Sequence, residues 1–160
     1  ELAKQAVERG YRTVVTARDP SKLKDFGATD QVLVLPLDVT KPDEAAAAIK
    51  ATEARFGRID VLVNNAGIGY FAAVEESEED EVRKMFDVNV FGTGRMIWAV
   101  LPGMRQRRAG CIVNLSSVGG LCGFPALGYY HATKFAVEGL SAALRLEVEP
   151  LVLHVLGVEP

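Results

Sequence analysis

Five short runs along this chain are almost uninterrupted in apolar and β-branched residues. They are Arg12 to Ala17 (RTVVTA), Val32 to Leu37 (VLVLPL), Ile59 to Asn64 (IDVLVN), Cys111 to Leu115 (CIVNL) and Leu151 to Val158 (LVLHVLGV). A strand with one wet face alternates apolar and polar residues, whereas a strand covered on both faces has no need to. The runs therefore predict strands of a parallel sheet lying between two layers of helices. The stretches between them read as those helices. Leu2 to Arg9 is the tail of one, closed by Gly10. Pro20 to Phe26 starts a short one. Pro42 to Phe56 has proline in its first turn and Gly57 at its end. Glu78 to Arg107 is a long helical stretch that Pro102 is expected to bend or end. Leu127 to Val148 is the last. Strand and helix in alternation give an α/β, doubly wound, three-layer domain. Ligands of such sheets sit beyond the C-terminal strand ends, here residues 17–18, 38–39, 64–67, 116–117 and 159–160.

Composition narrows the function classes. A chain of 160 residues, 49% apolar and 24% charged, is that of one globular domain. A net charge of −3 lacks the basic footprint of a nucleic-acid binder. The small cluster Arg105, Arg107 and Arg108 is read as cations complementing a helix C-terminus. No apolar run approaches the roughly 20 residues that span a bilayer; Met96 to Pro102 is the longest candidate. Cys111 and Cys122 have neither metal-ligand nor CxxC spacing, so no metal site is expected. Two free thiols point to a reducing compartment and thus to the cytoplasm.

Tyr130 and Lys134 are four residues apart on a predicted helix, which stacks their side chains on one face. A free tyrosine holds its proton to a pKa near 10, and a neighbouring ammonium favours the phenolate. A tyrosine so tuned is a general acid/base for a carbonyl/alcohol pair. A solvated helix face would carry the same pattern, so this spacing alone leaves the matter open. Ser117 stands just past the strand CIVNL, where a hydroxyl can meet a substrate oxygen. NNAG at Asn64 to Gly67 also follows a strand, and Asn89 lies in the long helical stretch between them.

In order and spacing these pieces resemble the classical short-chain dehydrogenase/reductase family. The matching stretches are DVT at 38–40, DVLVNNAG at 60–67, NVFGT at 89–93, GCIVNLSSVGG at 110–120, YHATK at 130–134 and VEP at 158–160. The resemblance implies a Rossmann-like fold over residues 1–160, one partial dinucleotide-binding and catalytic domain, incomplete at both ends. It also implies hydride transfer between NAD(P)(H) and a carbonyl or secondary alcohol. Tyr130 would exchange the proton with the substrate oxygen. Lys134 would favour its loss and hydrogen-bond the nicotinamide ribose. Ser117 would orient and polarise the carbonyl, and Asn89 would hold a water linking Lys134 to solvent. Asp38 would bind the adenine amino group, with Val39 beside the ring. Asn65, Ala66 and Gly67 would lie against the cofactor ribose. Tyr129 and Ser116 are decoys: Tyr129 has Thr133 and no lysine four residues on, and Ser116 points to the other strand face. His131, about 100° around the helix from Tyr130, is expected at the surface or beside substrate and outside the catalysis.

The end of the strand at 12–17 should choose the cofactor. An acid there binds the ribose hydroxyls of NAD; this chain has Ala17 and then Arg18, which suits the 2′-phosphate of NADP(H). Asp19 leaves NAD(H) possible. The family's glycine-rich phosphate loop is not among these residues, and roughly fifteen to twenty residues are expected to precede them. A C-terminal substrate-covering segment is expected to follow. Apolar neighbours of the catalytic groups, among them Ile68, Phe71, Leu121 and Phe124, suggest a hydrophobic alcohol or ketone. The helices at 78–107 and 127–148 are similar to those of the family's homodimer or homotetramer interface. The contrasting reading is a catalytically silent, dinucleotide-binding regulatory module. The intact set Asn89, Ser117, Tyr130 and Lys134 argues against it.

Overall fold

Strand and helix alternate along the whole chain in a computed structural model, which describes residues 1–27 and 29–160. The chain divides into two compact units, Glu1–Arg58 and Ile59–Pro160.

In the first unit, helix α1 (Leu2–Glu8) leads through Gly10 (φ +82°) to strand β1 (Thr13–Ala17). A 3-10 turn at Pro20–Phe26 is capped by Asp19, whose carboxylate accepts the Ser21 N–H at 3.0 Å. Strand β2 (Val32–Pro36) pairs parallel with β1, from Thr13 opposite Val32 to Ala17 opposite Pro36. Helix α2 (Pro42–Phe56) starts on proline and has Asp43 and Glu44 in its first turn, where acids complement the helix dipole. It ends on Gly57, left-handed at φ +83°, whose N–H reaches the Glu53 carbonyl at 2.8 Å. Val32, Leu37, Ala45 and Ala48 form the buried centre of this unit.

In the second unit, strands β3 (Val61–Asn64), β4 (Gly110–Leu115) and β5 (Leu153–Val158) make a parallel sheet in that order. Leu62, Ile112 and Val155 lie in one row, and Asn64, Asn114 and Gly157 in the next row on the same face. Helix α4 (Thr93–Arg107) packs on β3 and β4, and α5 (Gly128–Val148) on β5. The alternate residues of the strands are less covered than their apolar runs lead one to expect. Val61, Val63, Leu156 and Val158 are exposed, so helices cover this face less than the row of Leu62, Ile112 and Val155.

Three sequence expectations are refined. The stretch 78–107 is not one uniform helix. It is α3 (Glu79–Phe86), a π-helical turn at Asp87–Gly92, and α4. Pro102 does not end α4, which runs on to Arg107. Nor do the arginines there only complement a helix end. Arg107 Nη2 donates to the Ile59 carbonyl at 2.7 Å and Arg108 Nη2 to the Pro150 carbonyl at 2.9 Å.

A buried amide chain ties the sheet to α5. Asn64 Nδ2 donates to Asn114 Oδ1, and Asn114 Nδ2 donates to Ser141 Oγ, both at 2.8 Å. Asn114 is fully buried, so removing its amide strands two buried partners. In the whole protein, Asn114→Ala is expected to lower stability by about 2–3 kcal/mol, measured by urea unfolding. A loss under about 0.5 kcal/mol, typical of a surface change, would mean that the chain does not hold the sheet.

Candidate active site

The π-turn presents Asn89 to the interior, buried to 2% exposure. Its amide is used three ways. Oδ1 accepts the Ile68 N–H at 2.9 Å, while Nδ2 donates to the Ile68 carbonyl at 2.9 Å and to Thr133 Oγ1 at 3.0 Å. Thr133 in turn donates its hydroxyl proton to the Tyr130 carbonyl at 2.7 Å. One side chain thus joins the segment after β3 to the first turns of α5. A π-turn inserts a residue into the helical ladder and so re-aims one side chain, a device frequent at functional sites.

Lys134, one turn beyond Tyr130, is buried, and its Nζ donates to the Leu115 carbonyl at the end of β4 at 2.8 Å. The same ammonium lies 5.7 Å from the centre of the Tyr130 ring. Burial pushes the Lys134 amine below its ordinary value, and the negative charge of Glu138 opposes this. Gly67 completes this corner. A Cβ there would lie at ordinary contact distance, 3.5 Å from Asn89 Oδ1 and 3.9 Å from Lys134 Nζ, so the backbone passes close to the ammonium.

Ser117 follows β4 in extended conformation, and its Oγ accepts the Gly119 N–H at 3.2 Å. The loop lies directly on α5: a Cβ at Gly119 would run into the His131 ring and sit 3.5 Å from the Tyr130 ring. One at Gly120 would meet Ser116 Oγ at 2.7 Å. Ser116 is buried on that side, away from Ser117. Of the two places expected for His131, at the surface or beside substrate, burial excludes the surface. His131 is 5% exposed, with Nδ1 at 2.8 Å from the Gly119 carbonyl and Nε2 accepting the Phe124 N–H at 2.9 Å. The ring lies beneath the loop that follows Ser117.

The remaining candidates stand in the first unit and just past β3. Arg18 is exposed just past β1, and Asp38 and Val39 follow β2. Asp38 Oδ1 accepts the Thr40 hydroxyl at 2.7 Å and the Thr40 N–H at 3.0 Å. Those two bonds, with the Lys41 and Arg18 charges behind them, hold the Asp38 carboxyl below the usual carboxylate value. The Asp38 N–H donates to Glu44 Oε2 at 2.7 Å. Asn65, Ala66 and Gly67 are exposed after β3. Nothing in the sequence pointed to the clamping role of Asn89, to Thr133 as a link or to the Asn64–Asn114–Ser141 chain. Among the described residues no group of three or more His, Cys, Asp or Glu could hold a metal. No helix there is long and apolar enough to cross a membrane.

The geometry has known counterparts. The family model of the short chain dehydrogenases matches residues 1–160. A 3-ketodihydrosphingosine reductase of Bacteroides thetaiotaomicron is 43% identical over 158 residues, covering 99% of this chain and 57% of the reductase. The crystal structure of a short-chain dehydrogenase from Streptomyces avermitilis superposes with a TM-score of 0.95 at 42% identity, over 99% of this chain and 60% of that one. A variant of ElxO with NADPH bound superposes with a TM-score of 0.94 at 31% identity, over 99% of this chain and 66% of its own. The chain therefore spans a little over half the length of the curated relative.

The Asp38 pair gives a titration with a defined sign. A carboxylate favoured by folding stabilises the fold above its unfolded pKa of about 3.9, and this is lost as pH falls through the lower folded value. Thr40→Val removes the hydroxyl donor, so the Asp38 pKa should rise towards about 3.9, followed by ¹³C NMR of the carboxyl carbon. An unchanged titration would remove Thr40 as the cause.

Proposed function

The chain belongs to the short chain dehydrogenase family, and from that premise we propose that the whole protein is an oxidoreductase. It moves a hydride between a nicotinamide dinucleotide and a hydrophobic carbonyl/secondary-alcohol pair. The observation that carries this reading is the hydrogen-bonded chain from Asn89 through Thr133 to the Tyr130 carbonyl, with the Leu115-bonded Lys134 ammonium 5.7 Å from the Tyr130 ring. Both units are read as one partial dinucleotide-binding domain, since the family match runs through them.

The dinucleotide, when bound, supplies or receives the hydride. The Tyr130 hydroxyl gives its proton to the carbonyl oxygen in reduction and takes it back in oxidation. The buried positive charge of Lys134 favours that transfer, and its Nζ donates to the nicotinamide ribose. Ser117 Oγ already accepts from Gly119, which leaves its own proton to polarise the substrate carbonyl. Asn89 fixes the corner and anchors the water that passes protons between Lys134 and solvent. Asn65, Ala66 and Gly67 receive the ribose side, and Asp38 and Val39 the adenine. The bare Gly67 backbone beside Lys134 fits a group that must approach closely.

Arg18 following a neutral Ala17 supports NADP(H) over NAD(H). An apolar substrate is supported by the exposed Phe71, Leu121 and Phe124, and by a relative whose name is that of a 3-keto reductase. Exposed Phe91, Trp98 and Leu146 on the helical stretches 79–107 and 128–148 support self-association as a homodimer or homotetramer.

In the whole protein, Tyr130→Phe is expected to cut kcat by roughly 10²- to 10⁴-fold with dinucleotide affinity retained. Carbonyl reduction followed by NADPH absorbance checks it, and wild-type kcat would remove Tyr130 from the chemistry. Arg18→Ala should lower the preference for NADP(H) over NAD(H) by about ten- to a hundredfold, measured as kcat/KM for both cofactors. Equal losses for both would mean that Arg18 does not read the phosphate.

A further inference from the structure

His131 is buried at the junction of the catalytic helix and the loop that follows Ser117, yet the proton transfer described above does not use it. Its ring is engaged at both nitrogens: the Gly119 carbonyl is at Nδ1 and the Phe124 N–H at Nε2. These partners are of opposite kind. A carbonyl needs a donor and an N–H needs an acceptor, so one neutral tautomer, with the proton on Nδ1, satisfies both. Its ring centre lies 5.4 Å from that of Phe124 and 5.9 Å from that of Tyr130.

Several other bonds of the loop close on its own backbone and on Ser117. Gly120 and Leu121 donate their N–H groups to the Ser117 and Val118 carbonyls at 2.8 and 3.0 Å. They curl the segment without setting its height above α5. The two His131 bonds grip it five residues apart, at Gly119 and Phe124. Between those grips stand Leu121 and Cys122, and beside them Val118, all exposed. Gly119 cannot carry a side chain, because a Cβ would enter the ring, so the backbone and the imidazole are fitted to each other.

We propose that His131 is a positioning residue, which seats the 118–124 loop on α5 and so sets both the Ser117 hydroxyl and the apolar wall that receives the substrate. The inference rests on the reading of Ser117 and Tyr130 given above. A loop that is seated only part of the time lowers apparent affinity by the fraction seated. The loss should thus fall on the carbonyl substrate and spare the dinucleotide.

The test uses His131→Leu and His131→Asn in the whole protein, with a hydrophobic ketone and NADPH. The leucine removes both bonds. The asparagine keeps an amide donor for the Gly119 carbonyl. For His131→Leu, kcat/KM for the ketone should fall about ten- to a hundredfold, mostly through KM, with KM for NADPH within about twofold. His131→Asn should recover part of that loss. Wild-type kcat and KM for both variants, with only the thermal midpoint lowered, would reduce His131 to a packing residue and overturn the proposal. A second readout needs no variant: ¹⁵N shifts of the His131 ring in the wild-type protein should report the Nδ1–H tautomer, and the Nε2–H tautomer would overturn it. If Tyr130→Phe keeps full activity, the catalytic reading fails. If it is inactive and His131→Leu behaves as wild type, only the positioning role fails.

Discussion

The carboxamide of Asn89 ties three separate pieces of chain together, and the second unit's site depends on it. Both polar groups of the Ile68 backbone and the Thr133 hydroxyl close on one buried side chain. A buried amide is costly unless its donors and acceptor are matched, so this fit has little tolerance. Through Thr133 it reaches the Tyr130 carbonyl. Through Ile68 it fixes the neighbouring Gly67 backbone, which runs past the Lys134 ammonium. The π-turn at Asp87–Gly92 is what aims it inward.

Burial also sets the electrostatics. Lys134 is taken out of water and given one carbonyl, so its proton is held less firmly than that of a surface lysine. Gly119 and Gly120 let the loop after β4 lie against α5, where a side chain would run into His131 or Ser116. Amides, carbonyls and one ammonium are thus fixed before any substrate arrives, which is how a site avoids reorganising during reaction.

The elements were legible in the sequence where the signal is local. Proline at the start of α2 and Gly57 at its end mark that helix by chemistry that acts within a few residues. The apolar runs found all five strands. The Tyr130–Lys134 stack followed from helical periodicity alone. What stayed hidden needed partners far along the chain. Asn64 and Asn114 are 50 residues apart, and Asn114 and Ser141 are 27 apart; only the sheet register makes them neighbours. The π-turn has no compositional mark, since a helix with one inserted residue has nearly the same pattern as a regular one. The surface alternative for His131 fails because the angle around the helix does not tell what folds over the residue. Pro102 was expected to bend or end its helix; it does not end it, since α4 continues to Arg107.

The central claim is that this corner does chemistry and is not a remnant that only binds. The most direct measurement is isotope transfer by the whole protein. NADPH carrying deuterium at nicotinamide C4, on one face and then on the other, is incubated with a hydrophobic prochiral ketone, and the alcohol is examined by mass spectrometry and NMR. The account predicts deuterium on the carbinol carbon from one face only, with a single configuration at that carbon. NADPH bound at micromolar concentration with no deuterium transferred to a panel of such ketones would contradict it and identify a binding module.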